Sequence, residues 1–163
     1  MRIRDLAVVS ALAVLAAACE TTPSSTDDSS LNAGGANGLD AQGYPLGSQE
    51  DLSVTAGDRV FYGFDRYDVT TEGSSTVARQ ADWLRQYPNV TITISGHCDA
   101  RGTEEYNLGL GMRRAEEHKK SLIAAGIDAN RIAVISYGKA QTIVEGSTEE
   151  AYAQNRVTIV SLN

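Results

Sequence analysis

Val90-Thr91-Ile92-Thr93-Ile94-Ser95 alternates apolar and polar side chains through six residues, the period-two pattern of a strand with one buried face. It is the clearest element of the 163-residue chain, and the periods on either side of it set the architecture. Upstream, Val60-Phe61-Tyr62-Gly63-Phe64 is short, aromatic and β-prone. Val77, Ala81 and Leu84 then recur at helical spacing over 73–87, where Tyr87-Pro88-Asn89 ends the helix. Downstream, a glycine-bounded loop from Gly96 to Gly102 leads into a second helical stretch over 103–125, stopped by Gly126. Residues 132–137 and 157–162 supply two more strands. The order strand, helix, strand, helix, strand, strand predicts an α+β fold: a two-layer α/β sandwich with the helices on one face of a four-stranded mixed sheet. A doubly wound parallel fold needs more crossover helices. The second helix carries two competing stripes, Leu108/Met112/Ala115/Leu122 interrupted by Lys119, and Ala115/His118/Leu122. Gly109 and Gly111 predict a break there, since each costs about 1 kcal/mol in a helix interior.

Composition narrows the function classes. A hydrophobic share of 42% and a charged share of 21% are those of a globular domain, and the net charge of −7 excludes the broad basic face that nucleic acid requires. No apolar run reaches the roughly 18 residues of an ordinary membrane-spanning helix. Two cysteines make neither a disulfide scaffold nor a four-thiolate zinc site.

The first residues read as an address. Arg2 and Arg4 precede the apolar stretch Leu6 to Ala18, too short to span a bilayer with ease, which is the layout of a signal peptide over 1–18. Leu15-Ala16-Ala17-Ala18-Cys19 resembles the lipobox of bacterial lipoproteins, in which the cysteine is lipidated and becomes the new N-terminus. Removing the leader leaves 12 basic and 20 acidic side chains, a balance of −8. Lipidation would consume Cys19 and so leave Cys98 with no intramolecular partner. Residues 19–57 are rich in Ser, Thr, Gly, Asn, Asp and Ala and predict a lipid-anchored flexible linker, spanning roughly 30–35 Å on average. The folded domain is expected over 58–163.

Chemistry-bearing residues gather after the central strand. Strand parity puts Cys98 on the apolar row with Ile92 and Ile94, and His97 and Asp99 on the other side. Cys98 therefore reads as a small buried thiol, and Cys98 with His97 makes no ready catalytic dyad. His118 reads as a core or boundary histidine. His97, Asp99 and His118 have no metal-ligand spacing, and no metal or cofactor is called for. Asp99 and Arg101 flank Ala100 in a loop that opens onto a helix N-terminus, and Arg114 leans back towards it from the helix. Two readings follow. Either Asp99 and Arg114 pair with each other, or both are left to bind a zwitterion bearing an ammonium and a carboxylate.

The run Gly96-His97-Cys98-Asp99-Ala100-Arg101-Gly102-Thr103-Glu104-Glu105-Tyr106-Asn107-Leu108-Gly109-Leu110-Gly111-Met112-Arg113-Arg114-Ala115 resembles the signature of the OmpA-like peptidoglycan-binding domain family. Phe64-Asp65, Ser136-Tyr137-Gly138-Lys139 and Asn155-Arg156 fall in that family's order. With the lipobox and linker in front, the chain is similar to the lipoproteins of the Tol–Pal system that carry such a domain. The resemblance implies non-covalent binding of the diaminopimelate residue of peptidoglycan, with Asp99 taking its ammonium and Arg114 a carboxylate. It also implies that Asn107 hydrogen-bonds the ligand, Asp65 and Arg156 line the pocket, and Arg101 and Tyr67 stand at the rim. Ala100, Thr142 and Val157 depart from the family's usual acidic residue, proline and second arginine. Further implications are acylation of Cys19, an outer-membrane anchor with the domain in the periplasm, Tol-system periplasmic partners, and a role in envelope integrity and cell division without catalysis. Two other classes stand beside this one: a protein-binding module that does not touch the wall, and a cell-wall hydrolase using Cys98 or His97.

Overall fold

The computed structural model describes residues 38–163. The expected signal peptide over 1–18, the lipidation site Cys19 and the linker as far as residue 37 lie outside the described residues. The elements run in the order α1 (Gln49–Thr55), β1 (Arg59–Phe61), α2 (Thr71–Gln86), β2 (Ile92–His97), α3 (Glu104–Ala124), β3 (Ile132–Gly138), α4 (Glu149–Asn155) and β4 (Val157–Leu162). The four strands form one mixed sheet in the order β1-β4-β2-β3. β2 pairs parallel with β3 through the α3 crossover and antiparallel with β4, which pairs antiparallel with β1. This is the α+β architecture the periodicity predicts.

Ile92 opposes Ile132 on one side and Leu162 on the other, Ile94 opposes Val134 and Val160, and Val60 opposes Thr158. Cross-strand neighbours share a face. That face carries the core, in which Val77, Ala81 and Leu84 of α2 and Ala115 and Leu122 of α3 pack with Ile92, Ile94 and Val160. Each helix starts on a Ser or Thr whose side chain accepts a backbone N–H three residues on: Ser48, Thr70, Thr103 and Thr148. These caps satisfy donors that a helix leaves unpaired at its start.

Several boundaries differ from the sequence reading. The central strand covers 92–97 rather than 90–95, because alternation records which face is buried but not where the partner strands lie. Its partners end the matter: Ile132 and Leu162 both register on Ile92, and pairing with β3 runs on through Gly96 and His97. The first strand stops at Phe61, and Gly63 to Arg66 turn instead, with Arg66 N–H donating to Gly63 O at 3.2 Å. Helix α3 is unbroken at Gly109 and Gly111. Its buried face is Asn107, Leu110, Gly111, Arg114, Ala115, His118 and Leu122, so the second stripe is the core stripe and Leu108 is exposed.

Gly111 does not interrupt the helix because it is where the helix meets the sheet. A Cβ at Gly96 of β2 would sit 2.6 Å from the carbonyl carbon of Gly111, and one at Gly111 would sit 2.9 Å from Gly96 O. The two glycines let backbone approach backbone.

The expected linker is also shorter at its C-terminal end. Residues 49–55, read as linker, form α1, whose Leu52 is fully buried and belongs to the core. Asp51 accepts hydrogen bonds from Gly47 N–H (2.8 Å) and Trp83 Nε1–H (3.0 Å). Gln49 stands in for a missing strand: its Nε2 donates to Val160 O at 3.0 Å and its Oε1 accepts from Leu162 N–H at 2.9 Å.

Candidate ligand-binding site

The site lies where the C-terminal end of β2 runs into the N-terminus of α3. A cavity of about 190 Å³ opens there, lined among others by Phe64, Asp65, Asp99, Asn107 and Arg114. Cys98, Arg101, Gly102, Tyr106 and Leu110 complete its wall. The structure thus brings Asp65, Asp99, Arg101, Asn107 and Arg114 together at one cavity. Arg156 stands behind the wall, in contact with Asp99. Tyr67 is exposed and is not part of the lining; its ring lies 5.8 Å from the guanidinium of Arg113.

Arg114 is 0% exposed and is held by the backbone. Its Nε donates to Arg66 O (2.8 Å), Nη1 to His97 O (2.8 Å) and to Cys98 Sγ (3.3 Å), and Nη2 to Gly63 O (3.2 Å). A guanidinium has five N–H groups, so one remains. The turn that supplies two of these carbonyls depends on Asp65, whose φ of 53° is a left-handed conformation that Asp tolerates better than most side chains. The Tyr106 hydroxyl donates to the Asp65 carboxylate. Arg114 is therefore both a cavity wall and the bolt that fastens the β1–α2 turn to the end of β2.

Asp99 is buried and fully engaged. Oδ1 accepts from Arg101 N–H (3.1 Å) and Nε (3.2 Å), and Oδ2 from Arg101 Nη2 (2.6 Å) and Arg156 Nη1 (3.3 Å). Burial alone would raise the Asp99 carboxyl. The Arg101 side chain and backbone N–H, together with Arg156, outweigh it and hold the carboxyl below its ordinary value. Neither sequence reading of Asp99 and Arg114 describes the structure: they do not pair with each other, and Asp99 is not free. The partner of Asp99 is Arg101, a residue expected only at the rim.

Asn107 donates from Nδ2 to Arg101 O (2.6 Å) and Thr103 O (3.0 Å). Both amide protons are spent on the loop, so Oδ1 is the atom this residue can offer a ligand. Two participants escaped the sequence reading altogether. Glu149, in the first turn of α4, bonds Arg156 Nη2 at 2.8 Å and Arg101 Nη1 at 3.3 Å. Tyr152 lays its ring 4.4 Å from the Arg101 guanidinium, opposite Phe64 at 4.1 Å. A signal existed in Ser147-Thr148-Glu149-Glu150, a capping residue followed by acidic residues.

The remaining candidates separate from the cavity's chemistry. Burial pushes the Cys98 thiol up and so disfavours the nucleophilic thiolate, a shift that the charge of Arg114 opposes without cancelling. The His97 ring turns away to Ser95 Oγ (3.0 Å) and Gln141 O (3.1 Å), as strand parity predicts. His118 is a core residue: Nε2 lies 2.7 Å from Gln80 Oε1 and Nδ1 2.9 Å from Thr158 Oγ1. Gln80 gives its own amide protons to Gly57 O at 2.7 Å, so Oε1 must accept and His118 carries its proton on Nε2. Burial lowers this imidazole to about 4. Among the described residues, no three His, Cys, Asp or Glu side chains are grouped to hold a metal ion.

A chain with this fold and this site has well-defined relatives. The OmpA family model matches residues 61–156. The peptidoglycan-associated lipoprotein of Mesorhizobium japonicum is 37% identical over 97% of this chain and 90% of its own. That of Haemophilus influenzae is 35% identical over 98% and 97%. Among solved structures, the peptidoglycan-associated lipoprotein of Burkholderia pseudomallei superposes with a TM-score of 0.63 at 33% identity, over 65% of this chain and 90% of that one. The C-terminal domain of Helicobacter pylori MotB shares the fold at 20% identity, with a TM-score of 0.61 over 65% of this chain and 84% of that one. The chain belongs to the OmpA family and, within it, to the peptidoglycan-associated lipoproteins.

Proposed function

We propose that this protein binds peptidoglycan non-covalently through the cavity at the β2–α3 junction, taking the diaminopimelate residue of the stem peptide, and so ties the outer membrane to the cell wall. The observation that carries this reading is the convergence of Asp99, Asp65, Asn107 and Arg114 on one small cavity, in a chain whose close relatives bear the name peptidoglycan-associated lipoprotein. A diamino acid presents an ammonium and a carboxylate on one carbon. Asp99 and the Asn107 carbonyl accept from the ammonium, and Asp65 stands within the same wall. Arg114 contributes its charge and its one remaining N–H to the carboxylate rather than a two-pronged grip. Charge-assisted hydrogen bonds contribute roughly 1.5–3 kcal/mol each, and a few of them, less the cost of immobilisation, give a reversible contact of modest affinity. Many anchored copies on one polymer then add avidity.

The same reading puts lipid on Cys19, anchors the protein in the outer membrane with the domain in the periplasm, and makes Tol-system periplasmic proteins its partners in envelope integrity and cell division. It requires no catalysis. The test is co-sedimentation of the protein with purified diaminopimelate-type wall, beside Asp99→Asn and Arg114→Lys, with circular dichroism to verify folding. Pelleting by the wild type and its loss in folded Asp99→Asn is the expected result. A folded wild type that stays in the supernatant would refute wall binding and favour a protein-binding module. Mass spectrometry of Cys19 from membranes tests the lipid anchor separately.

A further inference from the structure

The carboxylate on which the proposed site depends has no vacancy. All four lone-pair positions of Asp99 are occupied, three of them by Arg101 through its backbone N–H, Nε and Nη2, and the fourth by Arg156. An arriving ammonium therefore meets a carboxylate already neutralised by a cation of the protein's own. The two arginines differ in how firmly they are held. Arg156 has a side chain 9% exposed and also donates from Nε to the Tyr62 carbonyl at 3.2 Å, which fixes it within the fold. The side chain of Arg101 is 36% exposed, and its other supports lie away from Asp99: the exposed Glu149 carboxylate and the faces of Phe64 and Tyr152.

We infer that Arg101 is a displaceable latch on the site: it satisfies Asp99 in the free protein and yields that carboxylate to the ligand's ammonium, staying on the Glu149 carboxylate and the aromatic pair that it already touches. This rests on the wall-binding reading and adds an internal competitor to it. Saturation of the carboxylate supports the exchange: with all four acceptor positions of Asp99 taken, a ligand ammonium gains this group only where a protein donor withdraws. The latch also selects. A lone cation gains at Asp99 little more than Arg101 gives up, whereas a zwitterion adds the contact of its carboxylate at Arg114. The site thereby discriminates against simple amines that any open carboxylate would attract.

The test is isothermal titration of the full chain, in detergent, with a soluble diaminopimelate-containing muropeptide. Arg101→Gln removes the competitor while Arg156 and the residue-101 N–H still hold Asp99, and it should bind about fivefold tighter than wild type. Tyr152→Leu loosens Arg101 without altering the cavity lining and should shift affinity the same way by less. Asp99→Asn should lose binding, and the Arg101 Nε–H resonance should move on ligand addition to the wild type. Weaker binding by a folded Arg101→Gln, with Asp99→Asn also weak, would make Arg101 a ligand contact and overturn the latch while leaving the wall-binding reading intact. Equal affinity of wild type, Arg101→Gln and Tyr152→Leu would overturn the latch as well. No binding by a folded wild type would instead overturn the wall-binding reading, and the latch with it.

Discussion

Two glycines one turn apart from the site should respond to alanine in opposite directions. Gly109 and Gly111 both lie inside α3, where alanine in place of glycine gains about 1 kcal/mol of helix propensity. At Gly109 the new Cβ meets nothing closer than Arg113 Nη1, at 3.7 Å, so the full gain should appear. At Gly111 it lands on Ser136 Oγ and 2.9 Å from the Gly96 carbonyl oxygen. Ser136 cannot simply rotate away, because its hydroxyl donates to Leu108 O (2.7 Å) and accepts from Gly138 N–H (3.2 Å). The Gly96 oxygen is backbone and has no rotamer to change. Overpacking costs about 1–3 kcal/mol and the two lost hydrogen bonds about 1 kcal/mol each, so the helix gain is more than cancelled and Gly111→Ala should destabilise by about 2–4 kcal/mol. The contrast between the two substitutions is then about 3–5 kcal/mol, a separation in melting temperature of over roughly 10 °C for a domain of this size. Urea and thermal unfolding followed by circular dichroism measure it directly. Because Gly111 sits between Leu110 and Arg114, Gly111→Ala should also weaken wall binding under conditions where the protein remains folded. If Gly111→Ala matched Gly109→Ala in stability, α3 would not lie against β2 at the spacing on which the cavity depends, and the account of the site would fail with it.

Buried groups at both ends of the domain carry further outcomes. An unfolded His118 titrates near 6.5 and the folded one at about 4, so only the unfolded chain takes up a proton between those values; its contribution is complete above pH 6.5 and is lost as pH falls towards 4, about 3 kcal/mol in all. Asp99, held low by its arginines, loses stability in the same direction at lower pH, so urea unfolding at pH 7 and 4.5 should show a smaller loss in His118→Gln than in wild type. At the other end of the domain, Leu52→Ala should cost about 2–5 kcal/mol, and Gln49→Ala, which strands Val160 O and Leu162 N–H, about 1–3 kcal/mol. A chain beginning at residue 58 should unfold at lower denaturant than one beginning at residue 38, and equal midpoints would mean that α1 is not part of the core.

The elements read well from sequence are those long enough to state a period. The Gly126 stop falls where expected, with φ of 93°, and β4 has the bounds that Val157 to Leu162 predict. Helices of seven residues offer too few turns for that. Leu52 and Ala56 are scattered apolar residues in a polar segment, and nothing local says that they will join the core to which Trp83 of α2 belongs. α4 offers only its capping Thr148 and acidic first turn, too short a signal to state a period, and Glu149 and Tyr152 go unread with it. Within the site, Asp99, Asn107 and Arg114 were legible because one loop and one helix carry all three. Which cations neutralise Asp99 was not, because Arg101 could equally have pointed to solvent, and what holds it back, Glu149 and Tyr152, arrives with Arg156 from the far end of the chain.

The position of the site follows from these same constraints. A helix can approach a sheet to backbone distance only where both present glycine, and Gly96 and Gly111 do so one residue before His97 and three residues before Arg114. That closeness carries the Arg114 guanidinium to the carbonyl of His97, the last residue of β2, and to those of Gly63 and Arg66 in the turn after β1. A lysine has no planar fork to meet three carbonyls at once. Arg114 thus spends four of its N–H groups on holding the cavity together and keeps its charge for whatever enters. The discriminating power of the site then rests with Asp99, and so with the two arginines that compete for it. On the proposed reading, binding would be an exchange of partners on one buried carboxylate, and the fold would serve it by holding Arg156 firmly and Arg101 within reach of solvent.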